Sequence, residues 1–142
     1  MKKFNRFFET KKEYGAVFLR LVIGWRLIAG VAAYATGTKP ISEVSGFFTQ
    51  LNIPAPSISA WLSVYAQFIC GILFIIGLWV RPAALTMIIN FSIAIIAAHT
   101  GDPVERSFAA WALLATSLFL LFHGAGKLSF DQRFVKLNSR IK

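Results

Sequence analysis

The chain has 142 residues, of which 56% are hydrophobic, and a mean hydropathy of +0.63, a composition that excludes an ordinary soluble domain. Its 15 Lys and Arg against 6 Asp and Glu give a net charge of +9, but the cations flank apolar runs, which favours contact with lipid headgroups over nucleic acid. The single cysteine, Cys70, excludes an intramolecular disulfide and a CxxC redox pair.

The N-terminal third contains a basic segment and the first predicted span. Residues 1–13 mix phenylalanines with five cations, which predicts a short helix lying on the membrane surface. Residues 14–36 then form an apolar run long enough to cross a bilayer, yet it carries Arg20 and Arg26. An Arg at the centre of a span costs about 2.5 to 3.5 kcal/mol. Polar groups elsewhere in the fold are therefore expected to face these two arginines.

The next two spans are predicted to form an antiparallel pair. The connection after the first span contains Phe47 and Phe48, which predict a loop folded back onto the membrane surface. The second span is expected over residues 58–80, and Arg81-Pro82 is expected to form a tight turn, because proline pushes the preceding residue out of helical geometry. The third span is then expected over residues 82–99.

The fourth span is expected over residues 107–123, where the chain meets a Gly-Ala-Gly sequence before a basic, surface-bound C-terminal segment. The chain is thus predicted to be an all-α, polytopic membrane protein. Its single domain, residues 1–142, is expected to be an antiparallel bundle of four transmembrane helices with short interfacial segments at both termini.

The distribution of cations predicts the orientation of the chain. Eleven Lys and Arg residues fall on one side of the predicted spans, in residues 1–13, at Arg81 and in residues 127–142, whereas only Lys39 and Arg106 fall on the other. By the positive-inside rule, both termini are expected to be cytoplasmic. The predicted location is a bacterial-type cytoplasmic (inner) membrane, crossed several times.

One polar layer is expected near the middle of the membrane. Counting about 1.5 Å per residue along each span brings five polar residues to similar depths: Arg26, Gln67, Asn90, Thr116 and Ser117. Lipid offers no hydrogen bonds, so these groups are expected to point inward. The layer has a cation and no carboxylate, which favours binding of a small anion or of the carbonyl oxygens of a quinone-like head group. The alternative is a purely structural network of amides and water around Arg26.

The second arginine of the first span lies closer to the predicted cytoplasmic face. Arg20 is expected to form a structural salt bridge with Asp131, which would join the first helix to the end of the last one. Glu13 is the competing partner, because it lies two turns earlier on nearly the same face of the helix.

The two histidines lie at opposite ends of the predicted spans. His99 and His123 are separated by most of a hydrocarbon thickness, about 30 Å, and cannot bind one metal within a chain. No metal site is predicted. An outward-facing acid/base cluster or, alternatively, a polar cap at the water interface is expected from Tyr34, Glu43, His99, Asp102, Glu105 and Arg106.

The chain contains several short motifs in order: Leu19-Arg20-Leu21 with Gly24; Gln67-x3-Gly71 with Leu73; Gly77-Leu78-x2-Arg81; His99; and Gly124-x-Gly126-x2-Ser129-x-Asp131. Taken together, these motifs resemble those of the DoxX family of small four-helix membrane proteins. In this chain, Gln67 stands where the family often has a glutamate, so a protonatable group is missing from the middle of the membrane. Trp25-Arg26 with Tyr34 also replaces the more usual pattern at the end of the first helix.

The resemblance implies an inner-membrane protein linked to redox systems, because relatives are described as subunits of quinol oxidase or of thiosulfate:quinone oxidoreductase. The chain is then expected to support an oxidoreductase whose electron-carrying centre lies in another polypeptide, with a quinone as the one expected cofactor. Membrane lipid and either a protein partner or further copies of the chain are the expected partners. The alternatives are a non-enzymatic membrane scaffold or assembly factor and, third, a small carrier for an anionic metabolite.

Overall fold

The computed structural model of the chain describes residues 2–98, 104–126 and 129–130. Within these residues the chain forms α-helices joined by turns, and no strand is present. The five helices are α1 (Lys2–Ala35), α2 (Ser42–Gln50), α3 (Pro56–Ile76), α4 (Val80–Ala98) and α5 (Val104–His123). The prediction of an all-helical protein is confirmed for this part of the chain.

Three of the helices are long and apolar enough to cross a membrane. They are the Tyr14–Ala35 part of α1, the whole of α3 and the whole of α4. The apolar part of α5, Ser107–His123, is shorter and extends about 25 Å at 1.5 Å per residue. The described part of the chain therefore contains three candidate spans and one shorter apolar helix.

The N-terminal segment differs from its prediction. Residues 1–13 were expected to form a separate helix on the membrane surface, but α1 runs without a break from Lys2 to Ala35. The physical reason is that this segment is rich in Lys and Glu, which favour helix, and it contains no proline that would end one.

The turn between α3 and α4 also differs from its prediction. The break lies at residues 77–79 and not at Arg81-Pro82, so the second and third spans are 56–76 and 80–98. Gly77 takes a left-handed conformation with φ +76°, and the backbone N–H groups of Gly77 and Leu78 both donate to the Leu73 carbonyl oxygen. Pro82 lies in the first turn of α4, where its missing N–H would have no partner in the helix anyway.

The helices pack in a simple order. α1 packs against α3, α3 against α4, and α4 against α5, while α2 covers one end of α3. A smaller contact joins α1 to α5. The buried core between them is apolar and includes Leu27, Phe74, Met87 and Leu120. The end of α3 and α4 nearest Gly77 is called the turn end below, and the opposite end is called the α2 end.

Two glycines let α1 and α3 approach closely. A Cβ atom placed on Gly24 would lie 2.7 Å from the Gly71 carbonyl oxygen, and one on Gly71 would lie 2.9 Å from the Gly24 carbonyl oxygen. Both distances are too short for carbon and oxygen atoms in contact. The close packing of these helices therefore depends on the absence of side chains at both positions.

Replacing Gly24 with alanine is expected to lower the free energy of unfolding by about 2 kcal/mol, because the added methyl must push two packed backbones apart. The apparent unfolding temperature in detergent measures this loss. The matched control is Gly15→Ala on the same helix, where nothing lies within 4 Å of the added Cβ and stability should stay equal or rise slightly. Equal unfolding temperatures for the two variants would contradict the close helix contact.

Candidate functional site

A cleft of about 570 Å³ opens between α3 and α4 at their α2 end. Its size falls in the range of small-molecule sites. α2 and the loop that follows it form one wall, and the halves of α3 and α4 farthest from the turn end form the others. The lining is mostly apolar, and it includes Phe47, Leu62, Ser63, Ile89, Asn90, Ile93 and Ala94.

A short chain of hydrogen bonds ends in this cleft. The Gln67 side-chain nitrogen, Nε2, donates to the Ser63 hydroxyl at 3.2 Å, and the Ser63 hydroxyl donates to the Asn90 oxygen, Oδ1, at 2.8 Å. Because Ser63 accepts from Gln67, its own proton is available for Asn90. The Asn90 amide nitrogen has no hydrogen-bond partner among the described residues, and it belongs to a half-buried side chain that lines the cleft. The cleft thus presents an amide donor within an apolar wall.

The structure brings together only part of the predicted polar layer. Gln67 and Asn90 meet through Ser63, a residue that the sequence reasoning missed. The signal for it was present, because Ser63 lies four residues before Gln67 and therefore on the same face of the helix.

The hydroxyl groups of α5 do not join this network. Thr116 donates to the Ala112 carbonyl oxygen and Ser117 to the Leu113 carbonyl oxygen, each at 2.7 Å and four residues back along the same helix. Such bonds satisfy a hydroxyl locally. The hydroxyl groups of Thr116 and Ser117 therefore make no hydrogen bond to Gln67 or Asn90, and neither side chain lines the cleft.

Arg26 lies elsewhere on the molecule. Its side chain is exposed on the surface of α1 and extends along that helix, so that its Nη1 atom would lie 2.8 Å from a Cβ placed on Gly30. It forms no hydrogen bond or ion pair with another described residue. The sequence predicted that Arg26 would point inward as part of the polar layer, but the structure places its side chain on the outer surface. Ligand binding by the other residues of that layer stays a prediction.

Arg20 is the buried arginine, with 2% of its surface exposed. Its Nε donates to the Phe74 carbonyl oxygen at 3.2 Å, and its Nη1 donates to the Ala125 carbonyl oxygen. These carbonyls lie in the last turn of α3 and just after α5, where backbone oxygens lack helical partners and the helix dipole is negative. The guanidinium also lies against Gly77, at the turn end. The predicted partner Asp131 lies outside the described residues, as does the side chain of Glu13.

The predicted outward polar cluster is described only in part. The Tyr34 hydroxyl donates to Glu43 at 3.2 Å, and the Lys39 ammonium lies 5.8 Å from the centre of the Tyr34 ring. His99 and Asp102 lie outside the described residues. Glu105 and Arg106 belong to α5, but their side chains are outside the described part. No group of three or more metal-binding side chains occurs among the residues that the structure describes.

The fold, with three helices able to cross a bilayer, is that of an α-helical membrane protein. The family model named DoxX matches residues 15–100, more than half of the chain, and the chain therefore belongs to the DoxX family. It is also similar to an uncharacterized membrane protein, Rv3486, of Mycobacterium tuberculosis (strain ATCC 25618 / H37Rv). The two are 28% identical, and the match covers 81% of this chain and 82% of that protein. No solved structure matches the chain at a significant level.

Proposed function

We propose that the chain is a membrane subunit of a redox system that binds a quinone-like molecule in the cleft between α3 and α4. The electron-carrying centre would lie in a partner oxidoreductase. In this proposal α5 is a fourth span, the helices form an antiparallel bundle, and both termini lie on the cytoplasmic side of a bacterial inner membrane. The membership in the DoxX family supports testing quinones first, since the resemblance described above implies quinone-linked relatives.

The composition of the cleft supports a neutral, mostly apolar ligand. Among the residues that the structure describes, those that line the cleft include no charged side chain, and Arg26, the cation expected at the site, lies on another surface. A small anion would enter this cleft without a counter-charge and would lose its hydration there. A quinone ring, in contrast, needs an apolar slot and hydrogen-bond donors for its carbonyl oxygens.

The single observation that carries the proposal is the position of the Asn90 amide. Its nitrogen has donors to offer, while its oxygen is already held by Ser63, so the side chain is oriented before a ligand binds. Pre-organised donors of this kind fix the orientation of a ligand at little entropic cost. The exposed side chains of Leu62, Ile89 and Ile93 provide an apolar path from the lipid for an isoprenoid tail.

The test is quinone-dependent thermal stabilisation of the protein in lipid nanodiscs, with decylubiquinone and a short-chain menaquinone analogue as probes. The wild-type unfolding temperature is expected to rise with probe concentration. Asn90→Ala should weaken binding about fivefold, because a net hydrogen bond contributes about 1 kcal/mol. Ala94→Phe should abolish binding, because the added ring would occupy the cleft.

The matched controls are Thr116→Ala and Arg26→Gln. Both change residues of the predicted polar layer that the structure places outside the cleft, and both should leave the stabilisation unchanged. Binding that survives Ala94→Phe, or that is lost on Arg26→Gln, would place the ligand elsewhere and refute the cleft.

A further inference from the structure

The outer face of α1 carries an arginine near the middle of the candidate span. Counted at 1.5 Å per residue, the Cα atom of Arg26 lies about 18 Å from the level of Tyr14 and about 14 Å from that of Ala35, the two ends of this candidate span. Its side chain is exposed on the side of the helix that faces away from α3. A permanent positive charge therefore lies on the outer surface of the molecule at mid-span.

The surroundings of Arg26 show that this surface is otherwise suited to an apolar environment. Phe18, Val22 and Trp25 are exposed on the same side of α1, Trp25 by 70%. The guanidinium extends towards Gly30, which is still about 7.5 Å below the level of Ala35. Charged groups at such depths persist where they pair with another polar group or reach water.

The chain itself does not supply an anionic partner at this depth. None of the four apolar segments, 14–35, 56–76, 80–98 and 107–123, contains an Asp or a Glu. A second copy related by an axis along the membrane normal would place Arg26 opposite Arg26, and two like charges would repel each other in a medium of low dielectric constant. Charge complementarity thus favours a different polypeptide.

We infer that the face of α1 formed by Phe18, Val22, Trp25, Arg26 and Ala29 is the docking surface for a transmembrane helix of another protein, which carries an Asp or Glu at the depth of Arg26. The carboxylate would accept a bidentate hydrogen bond from the guanidinium. The small residue Ala29 leaves room beside Arg26 for the partner backbone to approach, while Gly30 makes room for the guanidinium itself.

The docking surface and the cleft are independent parts of the molecule. The cleft is bounded by α2, α3 and α4, whereas the docking surface belongs to α1 alone. A ligand and a partner helix can therefore bind together, and either proposal can fail without the other.

The experiment is photo-crosslinking in membranes of the organism that encodes the protein, with p-benzoylphenylalanine introduced in place of Trp25, an exposed aromatic residue of similar size on the docking surface. The crosslinked partner is identified by mass spectrometry, and its crosslinked segment is expected to contain an intramembrane Asp or Glu. Arg26→Gln should reduce the crosslink yield at least tenfold, and so should replacement of the partner acid by its amide. Arg26→Lys should retain part of the yield, and Arg26→Glu combined with an acid-to-Arg change in the partner should restore it.

The matched controls are Arg81→Gln, which removes an exposed arginine at the turn end, and a crosslinker in place of Ile96 on the exposed side of α4. The first should leave the yield unchanged, and the second should not capture the same partner. The inference is overturned by adducts with phospholipid alone, by adducts between two copies of this chain, by a partner without an intramembrane acid, or by an unchanged yield in Arg26→Gln. Should Arg26→Gln fail to accumulate, the amide substitution in the partner decides the question.

Discussion

Replacing Arg20 with leucine is expected to lower the free energy of unfolding by about 3 kcal/mol, whereas the same change at Arg26 should alter it by less than about 0.5 kcal/mol. Arg20 is buried and donates to the carbonyl oxygens of Phe74 and Ala125. Leucine fills much of the same apolar volume but leaves both oxygens without this donor. An unsatisfied buried acceptor costs about 1 to 3 kcal/mol. The cost of two such acceptors is therefore expected to exceed the free energy gained by removing one buried charge.

The comparison is closely controlled, because both residues are arginines of the same helix. Arg26 is exposed and has no hydrogen bond among the described residues, so its removal leaves no acceptor unsatisfied. Unfolding in detergent, followed by heating or by added sodium dodecyl sulfate, measures both changes. Arg20→Lys should fall between the two, because an ammonium is a single point donor and reaches two separated carbonyls less well than a guanidinium.

Two results would count against this account of Arg20. Equal losses for the two leucine variants would mean that burial and hydrogen bonding do not distinguish the arginines. A neutral Arg20→Leu would mean that water already reaches the carbonyls of Phe74 and Ala125, so that the arginine is not needed to satisfy them.

The contacts of Arg20 show how backbone carbonyl oxygens help a membrane helix to keep a buried cation. The Phe74 and Ala125 carbonyls come from the end of α3 and from the segment that follows α5. Helix C-termini carry partial negative charge and unpaired oxygens, so they attract a cation there. One guanidinium thus joins three parts of the chain, and the structure locates this junction at the turn end.

Hydropathy predicted the helices of this protein well but located their ends less well. Long apolar runs are sufficient to identify α1, α3 and α4, because a bilayer requires about 20 apolar residues per span. The break before α4 was placed at Arg81-Pro82, since proline often marks a boundary. The structure has it at Gly77, whose left-handed conformation ends α3, while Pro82 is tolerated inside the first turn of α4.

The candidate site shows a different limit of sequence reasoning. Depth along a helix can be counted from the sequence, and the structure links Gln67 to Asn90, two residues of similar predicted depth, through Ser63. To predict which face of a helix a residue occupies, its angular position around the helix axis is needed as well. Arg20 and Arg26 are six residues apart, which at 100° per residue places them about 120° from each other, so a single buried face does not hold both. The apolar core residues Leu27 and Val31 lie on the Arg20 side.

The cleft itself was beyond sequence reasoning. It depends on how α2 and its following loop pack over α3 and α4, which is a tertiary property of a segment predicted only as a loop on the membrane surface. Ser63 was overlooked for a related reason. An isolated serine in a membrane helix usually bonds its own backbone, as Ser117 does, and only the approach of Asn90 from α4 gives Ser63 a different partner.

The second large effect is expected at Gly77, where alanine should lower the free energy of unfolding by about 3 kcal/mol. Two causes add at this position. The backbone has φ +76°, which costs a residue with a Cβ atom about 1 kcal/mol or more. The new Cβ would also lie 2.7 Å from Nη2 and 2.8 Å from Cζ of Arg20, so the guanidinium would have to move away from its carbonyl partners.

Gly37 separates these two causes, because it has nearly the same backbone conformation, φ +77°, with nothing within 4 Å of an added Cβ. Gly37→Ala should therefore cost only the backbone strain, about 1 kcal/mol.

The remaining cost at Gly77 should depend on Arg20, which a double-mutant cycle measures directly. In an Arg20→Leu background no guanidinium lies against residue 77, and Gly77→Ala should then cost about as much as Gly37→Ala. If the cost at Gly77 stays the same in that background, the glycine serves the turn alone and the proposed junction with Arg20 is wrong.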